Sequence, residues 1–272
     1  MALRLVLALA CLCAALGAAG PASFAAPATE QLLALRLMPG DRIVQHSELV
    51  DGIDWQLPPA RLEAFRSQGV VINEEVRTTI VATGVVKARS AGVARVSGKV
   101  TTTVHDVPRD KTLVTHDTGV SITTDRNVQT GTALYALEDA PMVDLPAAPV
   151  SLGTRWTTRQ RVVTSLGSGV AVFQHVVAAI DGALVRVDVT GRGVITGKEY
   201  NLPRLLPGTI ALRGSAWFDA DSGLISQESY AIDNTLVKTS PQGPIGFIEH
   251  LDADTDVHKE GRTPGRLNST AP

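Results

Sequence analysis

From Ala94 to His105 the chain changes character at every second residue. Ala94, Val96, Gly98, Val100, Thr102 and Val104 share one face, and Arg95, Ser97, Lys99, Thr101, Thr103 and His105 share the other. Side chains of an extended strand point alternately to its two faces, whereas a helix repeats near every 3.6 residues. A two-residue period with one greasy face therefore demands a half-buried antiparallel strand. The pattern returns in Ala183-Val185-Val187-Val189 against Leu184-Arg186-Asp188-Thr190. It returns again in Ile210-Leu212-Gly214-Ala216-Phe218 against Ala211-Arg213-Ser215-Trp217. Val, Thr and Ile fill these runs, and such side chains pack well on a pleated surface.

Turn chemistry punctuates the runs. Asp181-Gly182 suits a type I′ hairpin, in which both central residues need positive φ. Pro108-Arg109-Asp110-Lys111, Leu166-Gly167-Ser168-Gly169 and Asp221-Ser222-Gly223 mark three further reversals. One helix is expected over Pro59 to Gln68. Prolines open it, Leu62 and Phe65 stand three apart, and Gly69 can stop it. The predicted fold is mainly β, with roughly eleven strands and one short helix. Its strands form antiparallel curved sheets or an open barrel.

The segment from Glu138 to Pro149 holds three prolines and divides the chain. The expected organisation is a first β half over residues 26–140, a proline-rich joint over 141–149 and a second β half over 150–258. A polar tail, 259–272, has no periodicity and is expected to be disordered. Each half opens alike: Gly40-Asp41-Arg42 in the first, Gly153-Thr154-Arg155 in the second, at an offset of 113. Gly92-Val93-Ala94 and Gly182-Ala183-Leu184 echo one another at an offset of 90. These echoes point to a duplicated pair of halves.

Residues 1–25 read as a cleaved signal peptide. Arg4 precedes an apolar run from Leu5 to Leu16, and small residues follow to Ala26. The run is about a dozen residues, short of the roughly 20 that span a bilayer. The protein is therefore expected in a bacterial periplasm or outside the cell, with no transmembrane span once the leader is gone. Cys11 and Cys13 are the only cysteines, and both lie in the leader. The exported chain can then form no disulfide, thiolate metal site or cysteine nucleophile.

Charge narrows the partners. Arg4 is the leader's one charge, so 24 of the 25 basic side chains remain against 27 acidic ones. So even a balance argues against a nucleic acid or an anionic membrane as partner, since either needs clustered Lys and Arg. Aromatic residues are 4% of the chain, too few to share between a core and a sugar-stacking platform.

Candidate chemistry is thin. His105-Asp106 and His116-Asp117 invite a metal hypothesis, but the parity of the runs sends His105 to the polar face and His116 to the apolar one. Asp252, Asp254 and Asp256 resemble the start of a calcium loop, yet Val257 and Thr263 stand where the loop needs Gly and Glu. Their alternation suits a strand edge or a solvated tail. Gly191-Arg192-Gly193 begins a near-match to a dinucleotide fingerprint, without the helix that would give it a mechanism. Ser165 and Ser168 lack the Gly-x-Ser-x-Gly elbow. Arg204, Asp219 and His175 are the polar residues left for an enzyme reading. No catalytic residue, metal or cofactor is assigned, and the chain is expected not to be an enzyme. The apolar stretch Leu202-Pro203-Arg204-Leu205-Leu206-Pro207-Gly208 reads as a loop, and Leu202, Leu205 and Leu206 are the expected contacts for a hydrophobic ligand.

Two phrases carry a resemblance. Pro149-Val150-Ser151-Leu152-Gly153-Thr154-Arg155-Trp156 and Trp217-Phe218-Asp219-Ala220-Asp221-Ser222-Gly223-Leu224-Ile225 resemble motifs of an uncharacterised class of exported bacterial β-rich proteins. The likeness covers chiefly residues 145–240 and, more faintly, 30–105. The second phrase is also similar, remotely, to the LolA/LolB-type lipoprotein carriers, whose incomplete barrel holds acyl chains under a helical lid. The resemblance implies a curved envelope sheet with an apolar hollow. The expected function is non-catalytic binding of a lipid or acyl chain. The alternative is a structural or protein-interaction module of an envelope assembly.

Overall fold

The computed structural model describes residues 30–124, 128–132, 145–163, 167–198 and 205–260. Residues 1–29 with both cysteines, Leu202, Arg204, Ser165 and the stretch beyond Glu260 lie outside them, as does most of the stretch before Leu145. Eleven strands are β1 Arg42–Gln56, β2 Asn73–Ser90, β3 Val93–Asp106, β4 Lys111–Thr124, β5 Val128–Thr132, β6 Arg155–Val163, β7 Gly167–Asp181, β8 Leu184–Lys198, β9 Leu205–Asp219, β10 Leu224–Ser240 and β11 Gly243–Lys259. Helix α1, Pro59–Ser67, follows β1. The expected fold class is what the chain adopts.

All eleven strands join one curved, unclosed antiparallel sheet in the order β5-β4-β3-β2-β1-β11-β10-β9-β8-β7-β6. Neighbours in the sheet are neighbours in sequence, with one exception. The first strand, β1, pairs with the last, β11, from Ile43↔Lys259 to Gln56↔Gly246. The two halves of the chain are therefore joined through its first and last strands, and β5 and β6 are the two edges of the sheet.

The two openings of the chain have the same geometry. At the first, the Met38 N–H donates to Asp41 Oδ2 and the Asp41 N–H returns to the Met38 carbonyl, both at 2.9 Å. Gly40, at φ +92°, donates to the Val86 carbonyl, and the Val86 N–H donates to the Asp41 carbonyl. At the second, the Ser151 N–H donates to Thr154 Oγ1 and the Thr154 N–H to the Ser151 carbonyl. Gly153, at φ +81°, donates to the Val177 carbonyl, and the Val177 N–H donates to the Thr154 carbonyl. Matching bulges follow at Val86/Ala88 in β2 and Val177/Ala179 in β7. The units β1-β2-β3 and β6-β7-β8 are thus built on one plan.

Two local expectations need correction. The β7–β8 turn places Gly182 and Ala183 centrally, and only Gly182 (φ +58°) is left-handed. That is the II′ pattern, which needs glycine first, and not I′. The pair with both φ positive is Ala91-Gly92 in the β2–β3 turn. Also, Leu205 to Gly208 belong to β9 and not to a loop. Leu205 pairs with Lys198 and Leu206 with Gly197.

One sheet face is buried and the other open. Inward positions Val185, Val187, Phe173, Ile210, Leu212, Phe218, Ile232 and Leu236 form one apolar cluster, joined by Leu33, Leu35, Leu145 and Val150. Ile43, Ile80, Ala82, Val86, Val96 and Val100 form a second, with Leu37, Leu224 and Val257. The extended segment 30–41 links the two clusters. Its buried leucines alternate, and its backbone is held by Val150 through Gln31, by Gly223 through Arg36 and by Val86 through Gly40. At the other end of the strands, Trp55 packs edge-on against Phe65 of α1 (6.1 Å) and Phe247 (5.5 Å). The helix itself buries no residue.

Three glycines on the inward face of β8 and β9 leave no room for a side chain. A Cβ on Gly214 would lie 2.6 Å from Tyr230 Cβ, one on Gly208 2.8 Å from Leu236 Cγ, and one on Gly191 against the Phe173 ring. Neighbouring side chains lie flat over the gaps.

Candidate functional site

The site follows from which side chains are short. Register aligns outward residues of four adjacent strands into rows. Asp188, Ser215, Ser229 and Asp254 form one row across β8, β9, β10 and β11; Thr190, Arg213, Ala231 and Asp252 form the next. Ser215, Ser229 and Ala231 keep three of the four middle positions short, and Arg213 and the longer side chains of β8 and β11 stand around them. The result is a hollow of about 720 Å³ on the outer face, open to solvent, which Arg186 also lines. Its floor is sheet backbone at Val189, Gly214, Tyr230 and Ala253.

The two banks differ in sign. Arg186 and Arg213 stand on the β8–β9 side, and Asp252 and Asp254 on β11. Arg186 Nε donates to Asp188 Oδ1 at 2.9 Å, an exposed pair of small net worth. Among the described residues Arg213, Asp252 and Asp254 carry no such partner, so both signs are available to an incoming group. Such a lining can grip a segment carrying both charges, or any polar chain that offers donors and acceptors. It offers no nucleophile held beside a base.

The remaining candidates fall elsewhere. His175 is buried on the inward face, stacked on Trp156 with centroids 5.0 Å apart. Its Nε2 shares a hydrogen bond with Thr158 Oγ1 at 2.9 Å, and burial pushes its pKa down to about 4. Asp219 ends β9, where Oδ1 accepts from the N–H groups of Asp221 and Ser222 to brace the turn. In the β8–β9 register Asp219 lies five positions from Gly214, the residue in the row of His175. At about 3.3 Å per residue that is some 16 Å, so the two do not meet.

The expectation that His105 and His116 point apart is overturned. Thr101 pairs with His116 and His105 with Thr112, so both histidines share the outward face, four positions apart. Each hydrogen-bonds the threonine opposite, at 3.1 Å. The error was one of register: a four-residue turn pairs odd positions of β3 with even positions of β4. Asp252, Asp254 and Asp256 likewise lie in the interior strand β11 and not in a loop, a tail or a sheet edge. Among the described residues no three His, Cys, Asp or Glu side chains gather as a metal site would require.

No family model matches this chain, and no curated protein is similar to it.

Polar groups also line the inward face of the central strands, where the alternation gave no warning of them. Gln45, Ser47 and Thr255 form a buried chain, with Gln45 Nε2 and Thr255 Oγ1 each donating to Ser47 Oγ at 2.9 Å. Asn234 Nδ2 donates to Glu249, both buried. Glu228 pairs with Thr255 across β10 and β11, and burial raises its carboxyl to about 7. These groups straddle the strands that join the two halves of the sheet.

Proposed function

We propose that the protein is an exported, non-catalytic interaction module of the cell envelope. In this reading the outer hollow of β8–β11 receives a segment of a partner protein. The observation that carries the proposal is the hollow itself, a solvent-open recess with unpaired groups of both signs. Hot-spot positions in interfaces favour arginine, and desolvating Arg213 against an acceptor would supply both affinity and orientation.

A photo-crosslinking amino acid in place of Ser229, on the floor of the hollow, tests this in the producing cells. The expected result is a discrete adduct that Arg213→Glu abolishes. The same crosslinker at Val81, on the outer face of β2, yields none. An adduct indifferent to Arg213→Glu, or none at Ser229, rules the hollow out.

A second reading, a carrier of a lipid or acyl chain, is favoured by the apolar concave face from Val162 through Phe173 to Leu236. Such a ligand, wherever Leu202, Leu205 and Leu206 touched it, would need room. Phe173, Leu236 and Tyr230 now fill the space over the inward glycines. That is why the interaction module is preferred.

A further inference from the structure

The near-neutral balance of charge conceals a sorting of the two signs on one face. Twelve outward positions on β6–β9 fall into three rows by register. Arg161, Val170, Val194 and Thr209 form the first; Arg159, Val172, Arg192 and Ala211 the second; Thr157, Gln174, Thr190 and Arg213 the third. All twelve are exposed. Four are arginine, three are valine and none is acidic. None of the four arginines makes an ion pair among the described residues. Continuing the same rows across β10, β11, β1 and β2 brings in acidic side chains at Asp233, Asp252, Asp54 and Glu75, with Arg77 on β2 in the third row paired to Glu75, and with Asp254 and Glu48 in the row beyond.

Strands 4.8 Å apart and same-face residues about 6.7 Å apart make the basic field roughly 14 Å by 13 Å. Its three valines adjoin one another on β7 and β8, with Val194 68% exposed and Val172 44% exposed. Arginines on an edge strand are a common guard against strand pairing. Here they extend inward to β8 and β9, beyond the edge, and surround valines that a guard does not need.

We propose that this face rests the protein on an anionic lipid surface of the envelope, with Arg159, Arg161, Arg192 and Arg213 on the headgroups and Val170, Val172 and Val194 at the interface. Clustered cations next to a negatively charged leaflet are attracted within a Debye length, and apolar side chains add contact at the headgroup boundary. Charge complementarity identifies the occupant. Mobile headgroups conform to such a face, and a second copy offering its own acidic residues is the rival occupant that sedimentation velocity separates. The inference goes beyond the proposed docking of a protein segment in the hollow.

The test is co-sedimentation of the protein, in the form its host exports, with phosphatidylglycerol-containing vesicles and with pure phosphatidylcholine vesicles. The expected result is binding to the anionic vesicles alone, weakened at least tenfold by 0.5 M salt and by the double change Arg159→Glu with Arg192→Glu. Asp252→Asn leaves it unchanged, and circular dichroism confirms that each variant is folded. Equal binding to both vesicles, no binding to either, or indifference to the double change overturns the proposal. So does a dimer, detected by sedimentation velocity without lipid, that the same double change dissolves. Because neither altered arginine lines the hollow, failure here leaves the crosslinking result at Ser229 intact.

Discussion

Two buried ionisable side chains set opposite pH responses. Glu228 has its carboxyl raised from 4.5 to about 7 by burial, so the fold prefers its protonated form. Its contribution is fully present below about pH 4.5 and is lost as pH rises through about 7. His175 has its pKa lowered from 6.5 to about 4, so the fold prefers the neutral ring. Its contribution is present above pH 6.5 and is lost as pH falls through about 4. Each shift is worth at most about 3 kcal/mol. Thermal unfolding from pH 4 to 8 should show Glu228→Gln removing the loss on the alkaline side and His175→Phe removing the loss on the acid side, with the phenyl ring keeping the stack on Trp156. An unchanged pH profile in either variant would show that its side chain meets water in the fold. At Gly191 the prediction is steric. Gly191→Ala drives a methyl into the Phe173 ring and should cost about 1–3 kcal/mol in chemical denaturation. The sequence showed which face these residues occupy, because alternation encodes parity. It could not show burial of Glu228 or the stack on His175, because both depend on which strand lies alongside.

At the scale of elements, the alternation in β3, β8 and β9 was legible because one face of each is buried along much of its length. Helix α1 was legible from its prolines and Gly69. The segment Leu33-Ala34-Leu35-Arg36-Leu37 went unread although it too alternates, because it is short and forms no strand of the sheet. It nonetheless matters more than the helix. Leu35 is buried among the inward side chains, whereas α1 buries nothing completely. Leu35→Ala should therefore cost about 2–5 kcal/mol, and Phe65→Ala clearly less, when both are measured by urea unfolding. Equal costs would mean that the helix, and not the extended segment, closes the sheet. The loop expected at Leu205-Gly208 failed for a related reason. Two prolines and a glycine read as punctuation, yet β8 supplies partners on both sides of Pro207, at Ile195 and Gly197.

For the whole molecule, the pairing of β1 with β11 turns two similar units into one sheet. The repeat was visible in Gly40 and Gly153, since a positive φ in the opening bend is a demand that glycine meets at low cost. The order of the units was not visible, because no local signal says which strands pair across 200 residues. The candidate site shares that limit. Arg213 and Ser215 could be placed on the polar face of their own strand, but the hollow exists only where β8, β9, β10 and β11 lie in register. The sorting of arginines from aspartates across the outer face is likewise a property of strand order, which an overall net charge hides. The central claim is that the concave side is filled by the chain's own side chains and that recognition takes place on the outer face. Native mass spectrometry of the protein from its own envelope, washed in high salt and then extracted with organic solvent, tests it most directly. The account predicts the mass of the bare polypeptide and an extract without stoichiometric lipid. A reproducible acyl ligand surviving the salt wash would contradict it and return the concave face to the centre of the protein's function.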